Sequence, residues 1–552
     1  MDAGGTEPAD RPTAADQPAV SATRDFTALA AGLVALGALA LYRTTLLPGL
    51  GYWDTGEAQT VLPVLGTMHP TGFPAFVVIG WLFSIIAKPL GEPAFLMNLL
   101  AATCAALAAG GVVMVSRRLH VPLPIGVATA IGFALTPIVW HISNAIDAHA
   151  LHVLLVVGLT LALLRWQALV DGRKDRPDDK AYRRKGDRAI ILAAAIYGVA
   201  AANHGLALIL APSIILFVLA VEPRVLLRPR LIVTAAGTAA LVAALLYLEL
   251  PLRAGPFRAP LVYAHPETWQ GFWDVVLARQ FQGDVHGLFS NLGAKFDALL
   301  KLGTAQFGPL LALVPAGLFV AAVRHPKYAL FSGSAVLVTI TFAGSYANAD
   351  ISRYYLGPVF FVWTWIAIVA TAFLDAILSR AMPAEPEALE GEPEPTVAVP
   401  GRGFVALSFA LAVIFGVAML VPSGLELNAR WKSANQSGNT NAQTYLDDVF
   451  GALQGNAVVV SWWSCSTPLW YGEFAMGRRT DITVIDDSNA VWDKLGSLSA
   501  IVNSYLGSRP VYVIRQSGSE LENLRKQFTL ESAGVGGVCN LYLVTGRLGT
   551  NP

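Results

Sequence analysis

Long apolar runs alternate with short polar ones along this chain, and the run lengths set the first expectation. A bilayer core asks for roughly 20 mostly apolar residues per helix. Runs near that length occur at 26–47, 94–115, 122–140, 149–165, 189–203, 205–221, 231–250, 309–323, 328–345, 355–377 and 403–421. They predict an all-α polytopic domain of about 11 transmembrane helices. A further apolar piece, 73–90, is short and flanked by proline, and reads as a horizontal or re-entrant helix. Beyond 421 the period changes. Short β-branched runs at 456–463, 480–486, 510–515 and 541–546, separated by helical or loop stretches such as SELENLRKQF (519–528), predict a small α/β domain over 422–552. Residues 1–25 read as a disordered polar tail. The segment 381–402, with its Pro/Glu-rich AMPAEPEALEGEPEPTVAVP, reads as a disordered linker within the membrane domain 26–421.

Composition agrees with this picture. Of 552 residues 54% are hydrophobic and only 14% charged, against about 25% charged in soluble domains. The net charge is zero, which gives no reason to expect nucleic acid as a partner. Cys104, Cys465 and Cys539 have no metal-ligand spacing. Cys465 and Cys539 could form a disulfide if their domain lies outside the cytoplasm.

Charge distribution gives an orientation. Lys and Arg collect in 116–120, 165–188, 222–230 and 324–327, and such loops face the cytoplasm. The tail is then cytoplasmic and 26–47 runs outward. The outer side receives 48–72, SNAIDAHALH (143–152), the Asn203-His204 turn, the loop 251–308 and NADISRYY (348–355). Nearly every unusual polar residue falls on that one face, which is where chemistry is expected.

The densest cluster is GYWDTGEAQTVLPVLGTMHPTGFP (51–74). Asp54 and Glu57 are three apart and share one face of a helical turn. Shielded by Tyr52 and Trp53, one of them suits a general base. Alternatively Asp54 caps a short interfacial helix, with Glu57 as its capping-box partner. Asp147, His149 and His152 offer one carboxylate and two histidines, a thin metal signal, and no metal site is expected.

These segments also resemble a known family. D-x-G-E followed by H-P-x-G-[FY]-P is similar to the N-terminal signature of the DUF2723 group, related to the protein O-mannosyltransferases of GT-C architecture. WHISNAIDAHALH (140–152), AANHGLALILAP (201–212), the block 248–283, NADISRYYLGP (348–358) and SWWSCSTPLWYGEFAMGRRTDITVID (461–486) resemble further family segments in the family's order. Two departures stand out: Asp147-Ala148-His149 replaces the family's Glu-Val-Tyr, and Thr71 replaces a second proline.

The resemblance implies a membrane glycosyltransferase that moves a sugar from a polyprenyl-phosphate donor to an acceptor hydroxyl of a protein Ser/Thr or a cell-envelope glycan, with inversion. A bacterial plasma-membrane protein is expected, and the charge-based topology puts its C-terminal domain outside the cytoplasm. Asp54 is then the base, with Glu57 beside it. His69, Asp147, His204, Arg253, Arg258, Asp350, Arg353 and Tyr354 are the expected substrate-binding residues, the arginines because a leaving lipid phosphate needs cations. Membrane lipids are the remaining partners, and no cofactor beyond the lipid-linked donor is expected. Trp462, Trp463 and Trp470 could stack on sugars or simply fill a core. A transporter or lipid-linked-sugar flippase is the alternative, but it would place charges near the bilayer midplane.

Overall fold

The structure, a computed structural model, describes residues 25–381 and 402–548 apart from 177, 288, 289, 349, 517 and 538. The expected tail, except Asp25, and nearly all of the expected linker lie outside the described residues.

All eleven apolar runs are helical, and among the described residues seven helical runs are long and apolar enough to cross a membrane. The protein is a multi-pass membrane protein. The chain runs α1 (Thr27–Thr45), α2 (Trp53–Val64), α3 (Pro74–Ile86), α4 (Pro93–Arg118), α5 (Leu123–Ala134), α6 (Pro137–Ile142), α7 (Ala148–Asp171) and α8 (Lys180–Asn203). It continues through α9 (Ala211–Val221), α10 (Pro229–Tyr247), α11 (Glu249–Ala254), α12 (Trp269–Val276), α13 (Leu292–Phe307), α14 (Val314–Arg324), α15 (Pro326–Ala343), α16 (Leu356–Ala381) and α17 (Arg402–Leu425).

Two boundaries differ from expectation. The run 122–140 is two helices, because Pro137 starts a new one and lacks the N–H that would continue α5. The run 309–323 belongs to a longer helical stretch, Leu292–Arg324. Its first half carries Lys295, Asp297 and Lys301, which lowered the apolar signal there.

The basic loops meet at one end of the bundle. Lys327 bonds Asp171 at 3.1 Å, Arg228 bonds Asp187 at 2.6 Å, Arg173 pairs with Glu222, and the rings of His120 and His325 stack at 5.9 Å. The N-termini of α7 and α16 and the C-terminus of α8 lie at the other end, where the polar loops gather.

The C-terminal segment begins with α18 (Leu427–Ala434) and α19 (Asn441–Ala452). It then forms β1 (Val458–Ser461), α20 (Trp463–Trp470), β2 (Thr483–Asp486), α21 (Asp487–Trp492), α22 (Leu498–Tyr505), β3 (Val511–Arg515), α23 (Ser519–Arg525), β4 (Phe528–Ser532) and β5 (Asn540–Arg547). The sheet order is β2-β1-β3-β5-β4, with β1 parallel to β2 and β3 and the others antiparallel. Strand β4 was not expected. It is an edge strand with a largely exposed face, and FTLES has no β-branched run to announce it. Cys465 and Cys539 are disulfide-bonded, with Cα atoms 6.0 Å apart, which ties the start of α20 to the loop before β5.

Candidate active site

The loop after α1 is held before any charged group enters. Gln59 accepts from the Gly51 N–H at 2.8 Å and donates to the Gly49 carbonyl and Asn98 Oδ1, each at 2.9 Å. Asn98 Oδ1 also accepts from the Ile146 N–H at 3.0 Å. Both side chains are fully buried, so each bond is made away from competing water. One network thus fixes α2, α4 and the 143–147 segment together. Nothing in the spacing of Gln59 and Asn98 announced it.

Asp54 does not cap α2. The N-cap is Tyr52, no side-chain cap bond is made, and Asp54 stands in the first turn. Its carboxylate instead meets Arg353, whose Nη1 and Nη2 lie 3.1 and 3.2 Å from Asp54 Oδ2. Arg353 Nη1 also bonds Asp147 Oδ2 at 2.7 Å, and Nη2 reaches Asp350 Oδ2 at 3.3 Å. One guanidinium is therefore shared among three carboxylates. Its Nε is buried without a partner.

Glu57 points the other way. It is buried, accepts from the His69 N–H at 2.8 Å and pairs with His69 Nδ1. Burial works against a charge on His69, but the Glu57 carboxylate outweighs it, and His69 is pushed up to about 9. Gly72, at φ 78°, lets the HPTGFP loop pass within contact of Leu250 and Val275. Asp54, Glu57 and His69 offer ligand atoms within 4.8 Å of one another, so they are the residues that could hold a divalent ion. Here those atoms are engaged with Arg353 and with each other.

Asp147 caps α7 through the His149 N–H at 2.7 Å and accepts from His149 Nδ1 at 2.7 Å. Burial opposes its charge, yet His149 and Arg353 hold its carboxyl well below the usual range. His149, His204 and Tyr354 pack ring to ring at 4.4 to 5.6 Å. His204 Nδ1 accepts from the Leu206 N–H at 3.1 Å, which leaves its neutral-form proton on Nε2. Asp350 precedes a 3₁₀ turn without a side-chain cap bond.

Two expected residues stand apart. Arg253 donates to the carbonyls of Leu65 at 2.6 Å and Val64 at 3.1 Å, capping the C-terminus of α2. Arg258 donates to the Ala254 carbonyl at 3.1 Å and lines a crevice with Trp470, Trp492 and Asp493 of the C-terminal domain.

That domain also enters the site. A Cβ on Gly56 would meet the Gly51 carbonyl at 2.5 Å and Thr467 Oγ1 at 2.7 Å, so the glycine of DTGE lets α2 lie against α20. Trp463 then meets the His69 ring at 5.6 Å, and Trp462 meets Trp53 at 5.6 Å. Asp486, at the end of β2, is fully buried, and burial pushes its carboxyl up to about 7. It was not anticipated, because in sequence TDITVID is only a strand.

Residues 54–226 match the family described as "Protein O-mannosyl-transferase TMEM260 N-terminal domain". The mouse protein named Protein O-mannosyl-transferase TMEM260 is 28% identical over 384 residues, which is 65% of this chain and 50% of the mouse protein. This chain spans about half the length of that curated relative. Among solved structures, ArnT from Cupriavidus metallidurans bound to undecaprenyl phosphate is similar with a TM-score of 0.58 and 14% identity, over 93% of this chain and 97% of ArnT. The oligosaccharyltransferase from Archaeoglobus fulgidus, tethered to an acceptor peptide, is similar with a TM-score of 0.52 and 14% identity, over 95% of this chain and 76% of that one. The chain therefore has a GT-C fold, and between Asp54 and Leu226 its sequence is similar to the N-terminal domain of protein O-mannosyl-transferases.

Proposed function

We propose that this protein is a membrane glycosyltransferase that moves a sugar from a polyprenyl-phosphate carrier to an acceptor hydroxyl, a protein Ser/Thr side chain or a glycan, at the extracytoplasmic face. The observation that carries the reading is the contact of Arg353 with Asp54 at 3.1 Å. A carboxylate able to take a proton and a cation able to take a phosphate stand side by side in a half-buried pocket. The curated relative's name, and the undecaprenyl phosphate bound to the structurally similar ArnT, support the same substrates.

In this reading the acceptor hydroxyl gives its proton to Asp54 while its oxygen attacks the anomeric carbon. The bond from that carbon to the phosphate oxygen breaks, and its electron pair leaves with the polyprenyl phosphate. Attack opposite the leaving group inverts the anomeric centre. Arg353 turns from Asp54 toward the leaving phosphate, which frees the carboxylate at the moment the base is needed. Protonated His69 adds a second positive charge, and the His204 Nε2–H adds a donor. Asp147 keeps Arg353 in place through the exchange. Arg253 supports the site by fixing the end of α2, Asp350 belongs to its rim, and Arg258 lies in the separate crevice beside the C-terminal domain. The outer location is supported by the basic loops at the opposite end and by the Cys465–Cys539 bridge.

The test is transfer of radiolabelled sugar from polyprenyl-phosphate donors by the purified protein. Wild type is expected to transfer and Asp54→Asn to fail while staying folded. Equal transfer by Asp54→Asn removes Asp54 as the base. An inert wild type across mannose, glucose, arabinose and galactose donors returns the transporter or flippase reading.

A further inference from the structure

Buried polar atoms normally find a partner, and a cluster of atoms with none in the protein calls for water or a ligand to supply it. Four such atoms lie in one small part of the C-terminal domain: the indole Nε1 of Trp462, the indole Nε1 of Trp463, Ser464 Oγ and Asp486 Oδ2. Ser464 is 2% exposed and Asp486 fully buried.

Their position in the fold has its own meaning. Ser461 and Asp486 are register partners at the ends of the parallel strands β1 and β2. The chain leaves β1 toward β2 on one side and then crosses to β3 on the other. In parallel sheets ligands bind outside the carboxyl ends of the strands where the order reverses in this way. That point lies between β1 and β3, and the segment leaving β1 there carries Trp462, Trp463 and Ser464 toward the membrane domain, with Asp486 on the neighbouring strand β2. Trp463 lies 6.2 Å from Trp53 and 5.6 Å from the His69 ring, and Glu57 is among the like charges that Asp486 feels.

The lining selects the ligand. Trp53, Trp462 and Trp463 give more apolar ring surface than a serine or threonine side chain covers, and Trp53 is 53% exposed. Stacked C–H faces with hydrogen bonds at the ring edge are what a sugar ring provides. Of the adjacent charged groups Asp486 and Glu57 are acidic, while the cations are already paired, His69 with Glu57 and Arg515 with Asp487 at 2.6 Å and Glu520 at 3.2 Å. A phosphate or carboxylate is therefore disfavoured.

We propose that this crevice is a subsite for an uncharged sugar ring, held by Trp462, Trp463, Ser464 and Asp486 of the C-terminal domain beside the Asp54 loop. The proposal rests on the glycosyl-transfer reading and deepens it. The ring comes either from the lipid-linked donor or from a glycan acceptor.

Calorimetry on the full chain in nanodiscs tests it. The probes are a short-chain polyprenyl phosphate, its mannosyl, glucosyl and galactosyl forms, and mannotriose. A sugar-bearing lipid that binds about tenfold tighter than the bare lipid phosphate assigns the subsite to the donor. Binding of mannotriose alone assigns it to the acceptor. Trp463→Phe keeps a ring but loses the N–H, and Asp486→Asn keeps an oxygen to cap α21. Each is expected to cut the sugar-dependent affinity about fivefold and to leave the bare lipid phosphate unchanged. No gain from any sugar, or a gain that both variants retain in full, overturns the proposal. Mannotriose binding that both variants weaken, in a wild type that ignores polyprenyl phosphate, would leave the subsite standing and sink the transfer reading.

Discussion

Arg353 and Asp54 are 299 residues apart in the chain, yet their side chains lie 3.1 Å from each other. The arginine side chain is 14% exposed, and Asp147, its other close partner, is 13% exposed. Breaking such a buried pair from one side leaves uncompensated charge, at a cost of about 3–5 kcal/mol. Arg353→Ala is expected to lower the unfolding temperature and abolish transfer. Arg353→Lys keeps the charge but cannot span Asp54 and Asp147 together. It should fold, raise the donor KM and retain at most about a tenth of the turnover. A thermal melt beside a transfer assay separates the two outcomes.

The His69–Glu57 pair predicts a pH dependence. The folded-state value for His69, about 9, lies above its ordinary 6.5. Its stabilising contribution is thus complete below about pH 6.5 and is lost as pH rises through about 9. Melting temperature measured from pH 6 to 10 should fall across that window in the wild type and flatten in His69→Gln.

Removing the disulfide should loosen α20. Bridging residues 74 apart constrains the unfolded chain by about 2–5 kcal/mol. Cys465→Ser with Cys539→Ser is expected to destabilise the C-terminal domain by that order. Because α20 carries Trp463, transfer should drop as well. Denaturant melts with and without a reductant would check this, the double variant being insensitive to the reductant.

Gly56→Ala is predicted to push α2 away from α20 and from its own preceding loop, since the added methyl would sit 2.7 Å from Thr467 Oγ1 and 2.5 Å from the Gly51 carbonyl. Overpacking of this kind costs about 1–3 kcal/mol. Gly49→Ala, where nothing lies within 4 Å, should be near neutral in both stability and transfer.

The orientation is open to direct measurement. A single cysteine introduced at Arg176 should react with an impermeant maleimide only after the membrane is opened, whereas one at Gln443 should react in intact cells. The reverse pattern would place Asp54 on the cytoplasmic side and end the proposed reaction.

The sequence by itself determined the apolar runs, because the hydrocarbon core asks only for length and hydrophobicity, and both are local. It also determined which loops carry the unusual polar residues, and the DTGE and HPTGFP segments were legible through their resemblance to a family. Tertiary structure alone decided what those residues do to one another. Spacing suggested that Asp54 caps its own helix, but a guanidinium from the turn before α16 takes that carboxylate. Gln59 and Asn98 looked like ordinary helix polar residues until packing joined them. Asp486 read as the end of a strand until the C-terminal domain folded over the loop and brought it near Glu57. Each of these rests on contacts between distant segments, whose energies depend on burial that no local pattern records.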